Sequence, residues 1–200
     1  MNSAREKILN KLPDTEIIKT EYTVSENIYA KGEGSLLNIF KSEIELVDGE
    51  VFIVDDKKNL NIEINNYLKN NTLSKIYSNY PDLRINNDFK LIKEFSTEIE
   101  VAITTCEYLS ARTGSVVLSS HNDGRKINIF APIHIVIANE NQILPDIDDC
   151  IVSLTKKYDK LPSSISFATG PSRTADIEKT LILGAHGPKK LSVFIIKNSE

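Results

Sequence analysis

"VFIVDDKKNLNIEINNYLKN", Val51 to Asn70, starts as one kind of structure and finishes as another. Val51 to Val54 form a compact apolar run of β-branched and aromatic residues bounded by Asp55 and Asp56, which reads as a strand. Ile62, Ile64, Tyr67 and Leu68 follow with helical spacing. A strand that feeds directly into a helix is the repeating unit of α/β architecture.

The alternation continues in both directions. Upstream, Ser35 caps a helix with Leu36, Leu37, Ile39, Phe40 and Ile44 on its apolar side, and Asp48-Gly49 ends it. Downstream, "KIYSN" from Lys75 is a second strand, and Pro81-Asp82-Leu83 begins a turn or short helix. "IEVAITT" (Ile99 to Thr105), "SVVLSS" (Ser115 to Ser120) and "IHIVIAN" (Ile133 to Asn139) are further strands. Asn122-Asp123-Gly124 reads as a hairpin-like turn and predicts one locally antiparallel section. Pro145 to Tyr158 carries Ile147, Ile151, Leu154 and Tyr158 at helical spacing. "SISFATG" is a strand, "TADIEKTLIL" (Thr174 to Leu183) a helix stopped by Gly184, and "LSVFII" the closing strand. Before all this, Ser3 and Glu6 form a capping box for a short helix that ends at Pro13.

These elements predict an α/β fold with a mostly parallel sheet covered on both faces. One domain accounts for residues 1–200: an N-terminal helix and extended segment over 1–34, then an α/β core over 35–200.

Composition narrows the function. The chain is 40% hydrophobic and 26% charged, with a net charge of −4. No basic surplus favours nucleic acid or an anionic membrane. The opening "MNSAREKILNKLPD" lacks the apolar core of a secretory signal, and no apolar run approaches the ~20 residues of a membrane span. A soluble, cytoplasmic protein is expected. Cys106 and Cys150 have no Cys or His neighbours at metal-ligand spacing, so both read as small buried residues. No metal site and no iron–sulfur cluster is expected in this chain. Gly32-Glu33-Gly34 comes nearest to a dinucleotide fingerprint, but Leu37 stands where the last glycine belongs. No phosphate-loop, nucleophile-elbow or zinc-protease motif is present, and no redox carrier is signalled.

Chemistry-bearing residues gather in two stretches. In "FATGPSRTADIEKTLILGAHGP", Gly170-Pro171 ends a strand, and Ser172, Arg173 and Thr174 lead into the expected helix. A strand, a glycine turn and a helix N-terminus make a small-anion site, to which Arg173 adds a bidentate grip. Asp176 and Glu178 would repel an anion, so a capped helix with Arg173 paired to Asp176, or a protein interface, stand as alternatives. His186 is a weak candidate for a catalytic base, against a turn histidine bonded at Gly187-Pro188. A ten-residue helix would rise ~15 Å and separate His186 from Arg173, whereas a strand over "TLILG" would let them converge; Ile177, Leu181 and Ile182 on one helical side favour the helix.

The second stretch holds Thr105, Arg112, Thr113, Gly114 and Ser115. If the strands of Ile103 and Phe167 run parallel in one sheet, these residues face Gly170 to Thr174 at its carboxyl edge, where open α/β sheets bind ligands. Turn chemistry alone is the alternative. His134 reads as a sheet residue inside its strand.

"GPSRTADIE" (Gly170 to Glu178), then Gly184, His186, Gly187 and Pro188 ahead of an apolar strand, resembles the closing signature of the LUD-domain family. Ala111 to Ser115 and the Ala131-Pro132-x-His134 element match it too, so the likeness covers about residues 100–197. Arg112 stands where that family often has an acidic residue. The resemblance implies a three-layer fold like that of sugar-phosphate isomerases and CoA-transferases. It also implies an accessory or substrate-handling subunit in the oxidation of L-lactate to pyruvate, with iron–sulfur clusters in partner subunits. A stand-alone isomerase or cyclo-ligase acting on a small phosphorylated or nucleotide ligand is one alternative; a pure protein-interaction module is another. The sequence leaves open whether the chain catalyses anything unaided.

Overall fold

A computed structural model describes residues 34–94, 96–123, 131–174, 182–184 and 186–198, all within the compact unit Gly32–Glu200. The capping box at Ser3 and the extended segment up to residue 33 lie outside the described residues.

Helix α1 (Leu36–Leu46) starts at Ser35, whose side chain accepts a 3.3 Å bond from the Asn38 N–H. It buries Phe40 and Ile44. At its end the Asp48 N–H bonds Glu45 C=O at 3.1 Å and the Gly49 N–H bonds Ile44 C=O at 2.9 Å. That pair of bonds needs a left-handed residue just past the helix, and Asp48 supplies it with φ 62°.

Strand β1 (Glu50–Val54) then leads into α2 (Lys57–Asn70), capped by Asp56. Leu60, Ile64, Tyr67 and Leu68 form the buried side of α2, while Ile62 is 49% exposed and lies off it. With β2 (Lys75–Ser78), β3 (Lys90–Leu91), β4 (Val101–Thr105), β7 (Ile133–Asn139) and β12 (Lys190–Ile196), β1 builds a six-stranded sheet in the order β1-β12-β7-β4-β2-β3. Every pairing in it is parallel, and Glu50, Ser192, Ile135 and Ile103 lie level across four strands. Alternation sorts the side chains by face. Val101, Ile103, Ile135, Ile137, Phe194 and Ile196 pack with α2. Val136, Ala138, Leu191, Val193 and Ile195 pack with Phe40 and Ile44 of α1. Helices on both faces explain why these strands read as continuous apolar runs.

A second sheet lies on the α1 side. Its strands are β5 (Tyr108–Ser110), β6 (Ser115–Ser119), β8 (Ile143–Leu144) and β9 (Ile165–Ala168), in the order β8-β5-β6-β9. Strand β6 runs into a single helical turn, α3 (Ser120–Asp123). Val116 and Leu118 of β6 face α1 and the parallel sheet. Val117 faces the opposite way, onto Cys150 and Leu154 of α4 (Ile147–Lys157). So α2, the parallel sheet and α1 form three layers, and the second sheet with α4 extends the α1 side.

Three sequence expectations are corrected. The strand of Phe167 is β9, antiparallel to β6 in the second sheet, and shares no sheet with β4. Asn122 and Asp123 belong to α3 rather than to a hairpin turn, because β6 and β7 sit in different sheets; the antiparallel section is β5–β6–β9. The expected helix from Thr174 to Leu183 gives way at both ends to strands β10 (Arg173–Thr174) and β11 (Ile182–Leu183), which pair antiparallel. Cross-strand pairing satisfies the backbone at both ends instead, and residues 175–181 between them lie outside the described set.

Pro81 and Asp82 form a turn, closed by a 3.3 Å bond from the Leu83 N–H to Tyr80 C=O. The chain then runs along α2, gripped by two asparagines. Asn61 donates to Asp82 C=O at 3.4 Å and accepts from the Arg84 N–H at 2.6 Å. Asn65 donates to Arg84 C=O at 2.8 Å and accepts from the Asn86 N–H at 2.9 Å. Each carboxamide pairs with the backbone as a neighbouring strand would. Among the described residues no helix is long and apolar enough to cross a membrane.

Candidate functional site

Asp48-Gly49, Pro132 and Lys189 enter β1, β7 and β12, and so mark the amino edge of the parallel sheet. Most of the expected site residues collect near it. A Cβ on Gly114, where φ is 58°, would lie 2.4 Å from the Ile44 nitrogen; one on Gly170, where φ is 73°, would lie 2.4 Å from Val47 C=O. Only glycine allows both turns to rest on the last turn of α1. Ser115 Oγ and Thr169 Oγ1 meet across the turns at 2.7 Å, and Thr113 Oγ1 donates to Ser110 Oγ at 2.8 Å. Gly170 and Pro171 are buried.

Arg173 projects from this point with its side chain 37% exposed. Its Nη2 donates to Val47 C=O at 3.0 Å and to the Asp48 carboxylate. Among the described residues its Nε and Nη1 make no hydrogen bond. The carbonyl of Val47, one of the unpaired carbonyls of the α1 terminus, is therefore shared by the close approach of Gly170 and by the guanidinium.

The β10–β11 pairing places Leu183 opposite Arg173. The Gly184 N–H bonds Ser172 C=O at 2.9 Å, and the Ser172 N–H bonds Pro188 C=O at 2.8 Å. Gly187 lies so close that an added Cβ would sit 2.9 Å from Ser172 Cβ. The "GPSR" and "GAHGP" segments are thus zipped together. His186, exposed, lies in a turn clipped to Ser172 and not across a helix length from Arg173.

Two expected residues are engaged elsewhere. Arg112 directs Nε and Nη2 at both oxygens of Asp146, at 2.6 and 2.8 Å. Asp146 is the N-cap of α4, and its bond to Arg112 holds its carboxyl below the usual range. Arg112 therefore fastens the β5–β6 turn to α4. Thr105 ends β4 at the opposite, carboxyl edge, where its N–H bonds Asn79 Oδ1 at 3.2 Å. Its separation from Gly170 to Thr174 follows from β9 belonging to the second sheet.

The carboxyl edge of β4 also holds a cluster that sequence reasoning missed. Glu107, with its side chain fully buried, accepts from Ser119 Oγ at 2.5 Å, Lys157 Nζ at 2.7 Å and Tyr158 OH at 3.0 and 3.2 Å. Burial alone would raise its pKa; the bonds from Lys157, Ser119 and Tyr158 outweigh burial and hold it below the usual carboxylate range. Burial and the Glu107 carboxylate together push the Tyr158 phenol up. His121 stacks on Tyr158 at 4.7 Å, and Lys157 lies 5.2 Å from that ring's centre. The available signal was a lone carboxylate in the otherwise uncharged "TTCEYLS".

His134 is buried on the α1 face, with Nε2 2.8 Å from Thr104 Oγ1 and no partner at Nδ1 among the described residues. Burial lowers its pKa to about 4, so it is neutral at pH 7. Cys106 and Cys150 are buried, and burial pushes both thiols up, Cys150 to about 12; neither is a thiolate nucleophile.

The LUD domain model matches residues 83–196. Lactate utilization protein C of Bacillus licheniformis is 32% identical over 105 residues, 50% of this chain and 44% of that protein. Lactate utilization protein C of Bacillus subtilis is 34% identical over 105 residues, with the same coverage of 50% and 44%. The matched stretch thus spans under half the length of these relatives. A solved DUF162 family protein from Deinococcus radiodurans shares the fold, with a TM-score of 0.62 at 18% identity over 80% of this chain and 96% of that one.

Proposed function

The chain belongs to the LUD domain family, and from that premise we propose that it serves lactate utilization as an accessory or substrate-handling subunit that holds a small carboxylate at the amino edge of its parallel sheet. The observation that carries this is the open side of Arg173: Nη2 is anchored on Val47 and Asp48, while among the described residues Nε and Nη1 have no acceptor and can donate to a carboxylate. Ser115 is buried in the same two turns and, with its hydrogen turned to Thr169, leaves the hydroxyl of exposed Thr169 to supply one further donor. Relatives named lactate utilization protein C support the choice of carboxylate. Oxidation of L-lactate to pyruvate releases two electrons and two protons. In this reading iron–sulfur clusters held by partner subunits would be the two-electron acceptor, and the protons would go to solvent.

The test is calorimetric titration of L-lactate and pyruvate into the chain, alone and with cluster-bearing partner proteins. Binding that disappears in Arg173→Ala supports the site. Binding unchanged in that variant removes Arg173 from it, and no binding to the native chain under either condition sinks the reading.

A further inference from the structure

Asp48 occupies a position that favours glycine. It is the residue just past α1, held at φ 62° by the two bonds that end the helix. A side chain in that conformation is strained, but Thr72 holds the same place after α2 at φ 56°, so what sets Asp48 apart is its contact and not its backbone. The Asp48 side chain is 78% exposed, so it does not serve packing. Its one bond among the described residues is to Arg173 Nη2.

The chemistry of that contact restricts what Arg173 can bind. The two hydrogens of Nη2 are directed at Val47 C=O and the Asp48 carboxylate. A ligand carboxylate on Nη1 or Nε therefore lies beside a fixed negative charge. Two carboxylates sharing one guanidinium repel each other unless a proton lies between them. A 2-hydroxy acid carries such a proton: its hydroxyl can donate to Asp48, which as an anion only accepts. A 2-keto acid presents a carbonyl oxygen there and adds a second repulsion.

We infer that Asp48 is the specificity-determining residue of this site and selects 2-hydroxy acids over 2-keto acids. The inference rests on the reading of Arg173 as the carboxylate holder. It also gives the site a direction. Oxidation of the hydroxyl to a ketone removes the donor that made Asp48 tolerable, so the product is released by the residue that helped hold the substrate.

The experiment compares L-lactate with pyruvate, by calorimetry or amide chemical-shift titration, on the full chain and on Asp48→Gly, Asp48→Asn and Arg173→Ala. Native protein should favour lactate by about threefold or more, the scale of one exposed charged hydrogen bond. Asp48→Gly, which also relieves the backbone, should bring the ratio to about one, chiefly by tightening pyruvate binding. A ratio unchanged in Asp48→Gly, with both ligands lost in Arg173→Ala, overturns the role of Asp48 and leaves the Arg173 site standing. Absence of binding to the native chain overturns both.

Discussion

Glu107 and Lys157, 50 positions apart, meet at 2.7 Å with the carboxylate fully buried and the ammonium half in water. The pair ties the end of α4 to the loop between β4 and β5. Its asymmetry sets the cost of breaking it. Lys157 regains hydration when released, whereas Glu107 without it is a buried anion held by neutral hydroxyls. Lys157→Met, which keeps the apolar stem, should therefore destabilise by about 2 kcal/mol, below the usual loss for a fully buried pair. Glu107→Gln should cost less, since the amide keeps an acceptor for Ser119 or Tyr158. Urea midpoints of the two variants decide the order; the reverse order would mean that the ion pair contributes little.

Two buried side chains make stability depend on pH in separate windows, and the partly exposed Asp146 adds to the more acidic one. The pKa of His134 is lowered to about 4 in the fold from an ordinary 6.5. The unfolded chain takes up this proton first, so the contribution is complete above pH 6.5 and is lost as pH falls toward 4. Glu107 is also depressed, from an ordinary 4.5. Its contribution is present above that value and is lost as pH falls through the lower folded one. Urea midpoints from pH 8 to pH 3 should thus decline in two stages. His134→Gln should flatten the first stage, and Glu107→Gln should shrink the second, to which Asp146 and Glu100 also contribute. A single decline below pH 4.5 would show that His134 is not excluded from protonation in the fold.

The asparagine grip on the connection after β2 predicts a local effect. Asn61→Ala removes the acceptor of the Arg84 N–H, and Asn65→Ala that of the Asn86 N–H. Each variant should cost about 1 kcal/mol, since the freed groups can reach water. Hydrogen exchange should quicken at Arg84 and Asn86, while core strands such as β7 stay protected. Uniform acceleration across the domain would contradict a local strap.

The parallel sheet was legible because β1, β4, β7 and β12 are apolar runs that only a doubly covered sheet would demand. The second sheet was not. Strand β5 has 3 residues and β8 has 2, too short to show any period, and their pairing is set by partners distant in sequence. Thr105 was misplaced for the same reason: nothing local says which sheet Phe167 joins. Gly114, Ser115, Gly170 and Arg173 were readable as turn chemistry, and they do converge on the end of α1. Glu107 was hidden because its partners lie 12, 50 and 51 positions away, on elements that only the fold brings together.

The end of α1 provides the sharpest contrast between strain and contact. Asp48 and Gly170 both adopt left-handed backbone, at φ 62° and 73°. Asp48→Gly removes a penalty of about 1 kcal/mol and gives up an exposed ion pair worth between ~0 and 1 kcal/mol. Stability should therefore hold or rise slightly. Gly170→Ala acts in the opposite sense: the same backbone penalty appears, and the new Cβ would lie 2.4 Å from Val47 C=O, a backbone atom that cannot rotate away. The turn must lift from α1, which costs roughly 2 kcal/mol or more and takes Arg173 off its anchor. Thermal midpoints should move up or not at all for the first variant and clearly down for the second, and carboxylate binding should be lost only in the second. If Asp48→Gly proved the more damaging to stability, the Asp48–Arg173 contact would be a structural clamp and its selective role would fall with it.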